Sequence, residues 1–110
     1  MAQNRVTRGT AAVGALAVGT GSTIKGIKVG SASVNLPSIA TGATGSATFT
    51  VTGAAVGDVV IVNPPALTSG LAYAGAVVSA ANTVTVYALN ASGGTIDQAA
   101  ATFYYAWIKV

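Results

Sequence analysis

The chain is predicted to be an all-β protein, a small antiparallel β-sandwich of jelly-roll-like type with an extended N-terminal arm. Short segments of alternating apolar and polar residues recur about every ten residues, and turn residues separate them. No segment of ten residues shows helical periodicity. A length of 110 residues allows one domain at most. We therefore expect an arm over residues 1–22 and a β-sandwich domain over residues 23–110.

The strongest strand signal lies in residues 101–110, which hold four of the seven aromatic residues and the only Trp. Phe103, Tyr105 and Trp107 define one alternating face, and the other alternating face is also apolar. Apolar residues on both faces predict a central strand that is covered on both sides. Since so short a chain forms only a modest core, we expect a neighbouring subunit to cover one face or the end of this strand. Replacing Trp107 with Ala would then weaken both the oligomer and the fold.

Seven segments are predicted to be strands or parts of strands: residues 23–29, 31–36, 46–52, 59–62, 71–80, 83–89 and 101–110. In the first segment, Ile27 and Val29 lie opposite Lys28, which is typical of a half-exposed strand. The most regular alternation is in residues 46–52, and its apolar set is expected to face inward. Residues 59–62 form a continuous apolar run, which favours a buried strand.

The segment 71–80 predicts a strand with Leu71, Tyr73 and Val77 on one face. Gly75 lies within it and indicates a bulge or a close backbone approach. A tight turn at residues 81–82 then leads into the next strand, where Val84 and Val86 are expected to face inward and Thr85 and Tyr87 outward.

The first 22 residues combine Arg5 and Arg8 with small apolar residues and several glycines. An arginine pair followed by the apolar residues 11–18 superficially resembles a secretory signal. The apolar stretch is interrupted by Gly14 and holds a single Leu, so this signal is weak. Each glycine costs a helix about 1 kcal/mol relative to Ala, which favours an extended arm that lies along a neighbouring surface.

The composition is poor in charge and rich in apolar residues. Charged residues make up 6% of the chain, against about 25% in ordinary globular domains. A hydrophobic fraction of 52% argues against disorder, because disordered chains have low hydrophobicity and high charge. No apolar run of transmembrane length is free of Gly, Ser and Thr, so no membrane partner is expected. A surface with so little charge favours burial in an oligomer or on a larger particle.

The inventory of reactive side chains argues against an enzyme. Cys and His are absent, and the only carboxylates are Asp58 and Asp97, each beside a turn that it is expected to cap. We therefore expect no cofactor, no metal and no small-molecule substrate. Arg5, Arg8, Lys25 and Lys28 could contact phosphates. Four such contacts give a salt slope of only about −3 to −4, and no basic stripe with interleaved aromatic residues is present, so no nucleic-acid partner is expected.

Residues 57–97 read GDVVIVNPPALTSGLAYAGAVVSAANTVTVYALNASGGTID. This stretch resembles a pattern in small jelly-roll virion proteins of tailed bacteriophages, where it forms the later strands of the domain. The resemblance covers about residues 45–110 and leaves the arm unmatched. Tyr87 follows the N-T-V-T-V run at a position where the family pattern has an Arg-like residue. The resemblance brings no catalytic residues with it.

The resemblance implies a capsid decoration, or cement, protein on the outer capsid surface of the virion. Its expected partners are the major capsid protein and further copies of itself in a homotrimer. The candidate capsid or subunit contacts are Arg5, Arg8, Lys25, Lys28, Tyr105 and Trp107. The alternative is a receptor- or glycan-binding module of a head or tail spike or fibre, with Tyr73 and Tyr87 as candidate contacts.

Overall fold

The computed structural model describes residue 15, residues 19–21 and residues 23–110, so the predicted arm lies almost wholly outside the described residues. All regular structure in the described part is β-structure, as the sequence predicts. The strands are β1 (Gly26–Val34), β2 (Thr44–Thr50), β3 (Val59–Asn63), β4 (Leu71–Ala80), β5 (Thr83–Asn90) and β6 (Ala101–Lys109). No helix among the described residues is long and apolar enough to cross a membrane.

The six strands form two antiparallel sheets of three strands each, in the orders β1-β6-β3 and β2-β5-β4. The strand β6, which the sequence predicts to be central, lies in the middle of the first sheet. The strand β5 has the same position in the second sheet. This arrangement confirms a small antiparallel β-sandwich.

The core lies between the inner faces of the two sheets. The second sheet contributes Phe49, Val78, Val84, Val86 and Ala88, and the first contributes Val34, Val62, Phe103, Tyr105 and Trp107. The rings of Phe49 and Tyr105 join the two layers, with centroids 5.3 Å apart. Burying an apolar side chain of this size contributes about 1.5–3 kcal/mol, so these residues are the main source of folding free energy.

The strand β1 corrects the prediction of two separate strands on either side of Gly30. It runs through Gly30 without a break and pairs with β6 along its full length. Val34 is buried at one end of β1, and period-two alternation puts Gly30 and Ala32 on that same inner face. Ile27 and Val29 therefore project outward into solvent.

The strand β3 is half-buried rather than fully buried. It lies at an edge of the first sheet, with Val62 in the core and Val59 and Ile61 exposed. In β4 the register shifts between Tyr73 and Gly75, which confirms the predicted bulge.

The bulge in β4 changes which residues face the core. Gly75 has a φ of +122°, a backbone conformation that side chains with a Cβ rarely adopt. Beyond the bulge Val78 is buried and Val77 is exposed, whereas Leu71 and Tyr73 pack against the core. The prediction that Val77 shares a face with Leu71 and Tyr73 is wrong, because one extra residue inverts the alternation.

The predicted tight turn at residues 81–82 connects β4 and β5. Asn82 has a φ of +59°, which Asn tolerates better than most residues. The side-chain oxygen of Asn82 accepts a hydrogen bond from the Gly53 backbone N–H at 2.7 Å. The backbone N–H of Asn82 donates to the Ala54 carbonyl at 2.8 Å. The tip of this hairpin is thereby fixed to the turn that follows β2.

A substitution in β1 tests the close contact between the first sheet's strands. A Cβ at Gly30 would lie 2.7 Å from the Tyr105 hydroxyl oxygen and 2.8 Å from the ring carbon that carries it. We expect Gly30→Ala to lower the free energy of unfolding by about 1–3 kcal/mol, because the Tyr105 ring must move within a packed core. Urea denaturation measures the change.

The matched control is Gly26→Ala in the same strand, where a Cβ meets only the Lys109 Cβ at 3.8 Å. Its free energy of unfolding should stay within about 0.5 kcal/mol of the parent value. Equal effects of the two substitutions would contradict the packing of Tyr105 over Gly30.

Candidate interaction surface

The outer face of the first sheet is apolar across all three strands. We call it the apolar face, and it comprises Ile27 (60% exposed), Val29 (76%), Val59 (45%), Ile61 (61%) and Tyr104 (56%), with the less exposed Ala106 and Ile108. The register sets Val29 and Ile61 on either side of Ala106, so the side chains form continuous cross-strand rows. Exposed apolar patches of this kind mark interaction sites in soluble proteins.

A shallow groove crosses the apolar face. It has a volume of about 210 Å³ and is lined by Val29, Ile61, Asn63, Tyr104 and Ala106, together with part of Tyr105. The groove exists because Ala106, on the central strand, is smaller than its neighbours Val29 and Ile61. A partner's apolar side chain could enter it, but it offers no arrangement of polar groups that would orient a small polar ligand.

The outer face of the second sheet has a different chemistry, and we call it the polar face. The strand β2 presents exposed hydroxyl residues there, namely Thr44, Ser46, Thr48 and Thr50. Val77, Tyr87 and Leu89 are its exposed large apolar residues. The two outer faces of one small sandwich therefore differ, and the polar face is the one suited to water.

Lys28 and Lys109 lie on the side of the first sheet opposite the apolar face, because each alternates with outward-facing residues of its strand. Lys25 and Lys28 are exposed near the start of β1. The Lys109 ammonium is 3.7 Å from an Asp58 carboxylate oxygen and donates a hydrogen bond to the Gly53 carbonyl at 3.1 Å. The residues that form the apolar face are all uncharged, and Lys25, which precedes β1 and alternates in phase with Ile27, lies at its margin.

Asp58 forms hydrogen bonds with residues at the end of β6 and just after it. One of its carboxylate oxygens accepts hydrogen bonds from the Trp107 indole and the Ala55 amide, each at 3.0 Å, and the other accepts from the Val110 amide at 3.3 Å. These bonds, led by the one from Trp107, hold the pKa of Asp58 below its ordinary value of 3.8, and Lys109 adds to the effect. The carboxylate acts as a structural acceptor that holds the chain end in place.

The structure does not pair the two carboxylates. Asp58 contacts the final residues of β6, whereas Asp97 precedes the first residue of that strand and is exposed. A nine-residue strand spans about 30 Å, so β6 runs between them. Among the described residues, no three His, Cys, Asp or Glu side chains come together in a way that could hold a metal ion.

The loop after β5 is built around the fully buried Asn90. Its side-chain amide donates to the carbonyls of Ile39 and Gly94, each at 2.8 Å, and its oxygen accepts from the Ser92 amide and hydroxyl. The polar atoms of Asn90 are thus fully used within the chain. This cluster shapes the loop and leaves no free polar group for chemistry.

The sequence-predicted contact residues have different environments in the structure. Arg5 and Arg8 lie outside the described residues, and Lys25 and Lys28 are exposed. Tyr105 and Trp107 were expected at a subunit contact, but they are only 6% and 8% exposed within a single chain and belong to its core.

The exposed aromatic residue of β6 is Tyr104, which is not among the contacts predicted from the sequence. The signal for it was present in the apolar second face of residues 101–110. Of the two candidate glycan contacts, Tyr87 is exposed, whereas Tyr73 packs against the core and burial raises its pKa above the ordinary value of 10.0.

No protein family, no curated protein and no solved structure matches this chain.

The Asp58 contacts predict a specific dependence of stability on pH. Because the folded-state pKa is below 3.8, the contribution of Asp58 is fully present above that pH and is lost as the pH falls through the folded value. We expect Asp58→Asn to lower the unfolding midpoint at pH 7, and the gap to the parent protein to shrink below pH 3.8. Thermal unfolding from pH 7 to pH 2 at one protein concentration measures this.

The exposed Asp97 supplies the control, and Asp97→Asn should follow the parent curve throughout. A gap between the Asp58→Asn variant and the parent that stays constant to pH 2 would show that the carboxylate charge has no part in holding the chain end.

Proposed function

We propose that this chain is a structural virion protein, a capsid decoration protein that binds the outer surface of a tailed-phage head and stabilises the shell. The observation that carries the proposal is the apolar face, a surface of uncharged residues that is three strands wide. Such a face suits stable protein contacts and offers no group for acid–base or metal chemistry. The resemblance of residues 45–110 to small phage virion proteins gives the particle on which these contacts would be made.

The proposed fold is a reduced jelly roll. Supporting this, β1 and β3 belong to one sheet and β2 and β4 to the other, so each of the first three connections changes sheet. The last two strands, β5 and β6, then take the central position of each sheet. Jelly rolls are frequent in viral capsid proteins, which agrees with the proposed setting.

The mechanism is thermodynamic. A protein that binds the assembled shell and not its separated subunits stabilises the shell by mass action, by about 2.7 kcal/mol for each site at a free concentration one hundred times Kd. A homotrimer would bring three contacts to one site, and linking contacts in this way raises the overall affinity. No covalent chemistry is required of the chain.

The arm is proposed to make the contact with the major capsid protein. Arg5 and Arg8 give residues 1–22 a positive charge and no carboxylate, which suits pairing with acidic groups on the capsid. Addition of the arm as a strand to an exposed sheet edge is a common way for such a segment to bind.

The second candidate is a receptor- or glycan-binding module on a spike or fibre. Tyr87 and Leu89, exposed on the polar face, are the observation in its favour, since exposed aromatic residues commonly stack on sugars. Copy number separates the two candidates. A decoration protein would be present in hundreds of copies in each purified particle, and a tip protein in a few to some dozens.

Deletion of residues 2–20 tests the proposed role of the arm. We expect the truncated protein to fold as the parent does, because the deletion leaves all six strands, from Gly26 to Lys109, intact. We expect it to lose binding to capsids that lack the protein. Co-sedimentation with purified capsids measures occupancy, and circular dichroism confirms the fold.

A double substitution, Arg5→Ala with Arg8→Ala, provides a finer test of the arm. It should weaken binding and reduce its dependence on salt, because two ion pairs are lost. Lys25→Ala with Lys28→Ala removes the same charge from the other two basic candidate contacts, so a larger loss of binding in the arginine variant would assign the contact to the arm. Normal occupancy by the truncated protein would refute the role of the arm.

A further inference from the structure

We propose that the apolar face is a permanent interface between copies of this chain, so that a second copy covers it before the protein meets any other partner. This inference deepens the proposed function, on which it rests only for the identity of the other partner. It assigns self-association to the outer face of the β1-β6-β3 sheet. The arm and the polar face then remain available for the capsid.

The composition of the apolar face is that of a protein interior. Its exposed members are Ile, Val and Tyr, and between 45% and 76% of each side chain is open to solvent in a single chain. Interfaces between permanently associated copies resemble a domain core cut in half, whereas partners that also exist apart meet through more polar surfaces. A protein that reaches a finished capsid through solvent needs this face covered beforehand.

The distribution of charge favours a second copy over a different partner. The whole chain has a formal net charge of +3, and two copies would repel each other at any surface that carried these cations. No residue that forms the apolar face is charged. Lys28 and Lys109 lie on the opposite side of the sheet, Lys109 is paired with Asp58, and Lys25 lies only at the margin of the face. A face without charge can meet its own copy at no electrostatic cost, and it offers nothing that would select an acidic partner.

The size of the face fits a subunit contact. Five large side chains that are about half exposed present on the order of 400 Å² of apolar surface. A standard interface buries about 800 Å² on each partner, with an apolar centre and a polar rim. Ser31 and Asn63 flank Tyr104 in the next cross-strand row and supply part of such a rim. The shallow groove over Ala106 would receive a side chain from the second copy.

Charged substitutions on the apolar face test the interface. Val29→Lys and Ile61→Lys, made separately, place an ammonium at positions that are exposed in the single chain, so each chain should keep its fold. Thr48→Lys on the polar face is the matched control, also at an exposed strand position. We expect the parent and the control to be oligomeric by light scattering coupled to gel filtration, and both apolar-face variants to be monomeric at the same concentration.

Fluorescence of Trp107, the only Trp, confirms the fold of each variant, because this residue lies in the core on the opposite side of the sheet. A folded apolar-face variant that stays oligomeric overturns the proposal, and so does a monomeric parent protein. If both apolar-face variants fail to fold, the thiol-protection experiment described next tests whether the apolar face is an interface.

Thiol protection tests the same interface without adding charge. The parent chain has no Cys, so Ile61→Cys and Thr48→Cys each introduce a single thiol. In the native oligomer the thiol at position 61 should react with a maleimide at least about tenfold more slowly than the thiol at position 48, because the centre of an interface excludes water. The two rates should become equal in urea, and equal rates in the native protein would overturn the proposal.

Capsid binding separates this inference from the proposed function. A parent protein that forms oligomers through the apolar face but does not bind capsids removes the proposed function and leaves the inference intact. If the apolar-face variants stay oligomeric and lose capsid binding, the inference is overturned and the proposed function stands, because the apolar face would then contact the capsid.

Discussion

The structure depends on β6, because this one strand contributes to both surfaces of its sheet. Pleating sends Phe103, Tyr105 and Trp107 into the core, where they meet the side chains of the second sheet. The same pleating sends Tyr104, Ala106 and Ile108 outward, between the exposed residues of β1 and β3. Because β6 is apolar on both faces, covering one face with the second sheet leaves the other face of the single chain exposed to water. The core and the apolar face therefore come from the same strand.

Strand positions and the central place of β6 could be predicted from the sequence, because both depend on local alternation and aromatic content. Which face of β1 points into the core could not be predicted from the sequence, because contacts with the distant strand β6 determine it. Gly30 suggested a break between two strands, yet the Tyr105 ring packs over it and keeps β1 continuous. Val34 then determines which face every other residue of β1 occupies. In β4 the bulge at Gly75 was predicted, but its effect on Val77 depends on the register with β5.

The sequence correctly indicated that the candidate site contains apolar and aromatic residues, but the individual aromatic residues predicted for it were wrong. The aromatic cluster in residues 101–110 predicts a contact, and Tyr105 and Trp107 are its predicted residues. Burial depends on what lies opposite each face, and the second sheet lies opposite these two side chains. The exposed residues are Val29, Ile61 and Tyr104, which come from three different strands. No local pattern links them, because only the register of β1 and β3 on β6 brings them together.

The placement of Asp58 explains how so sparsely charged a chain keeps its terminal strand in register. Its carboxylate accepts hydrogen bonds from Trp107 and Val110 and lies beside Lys109. Buried or half-buried aromatic N–H groups need an acceptor, and an ionised one forms the stronger bond. One of only two carboxylates is thereby committed to the fold, which leaves the remaining charges of the chain predominantly positive. In the proposed oligomer, copies would meet through the uncharged residues of the apolar face, and the cations outside that face would be left for an acidic partner.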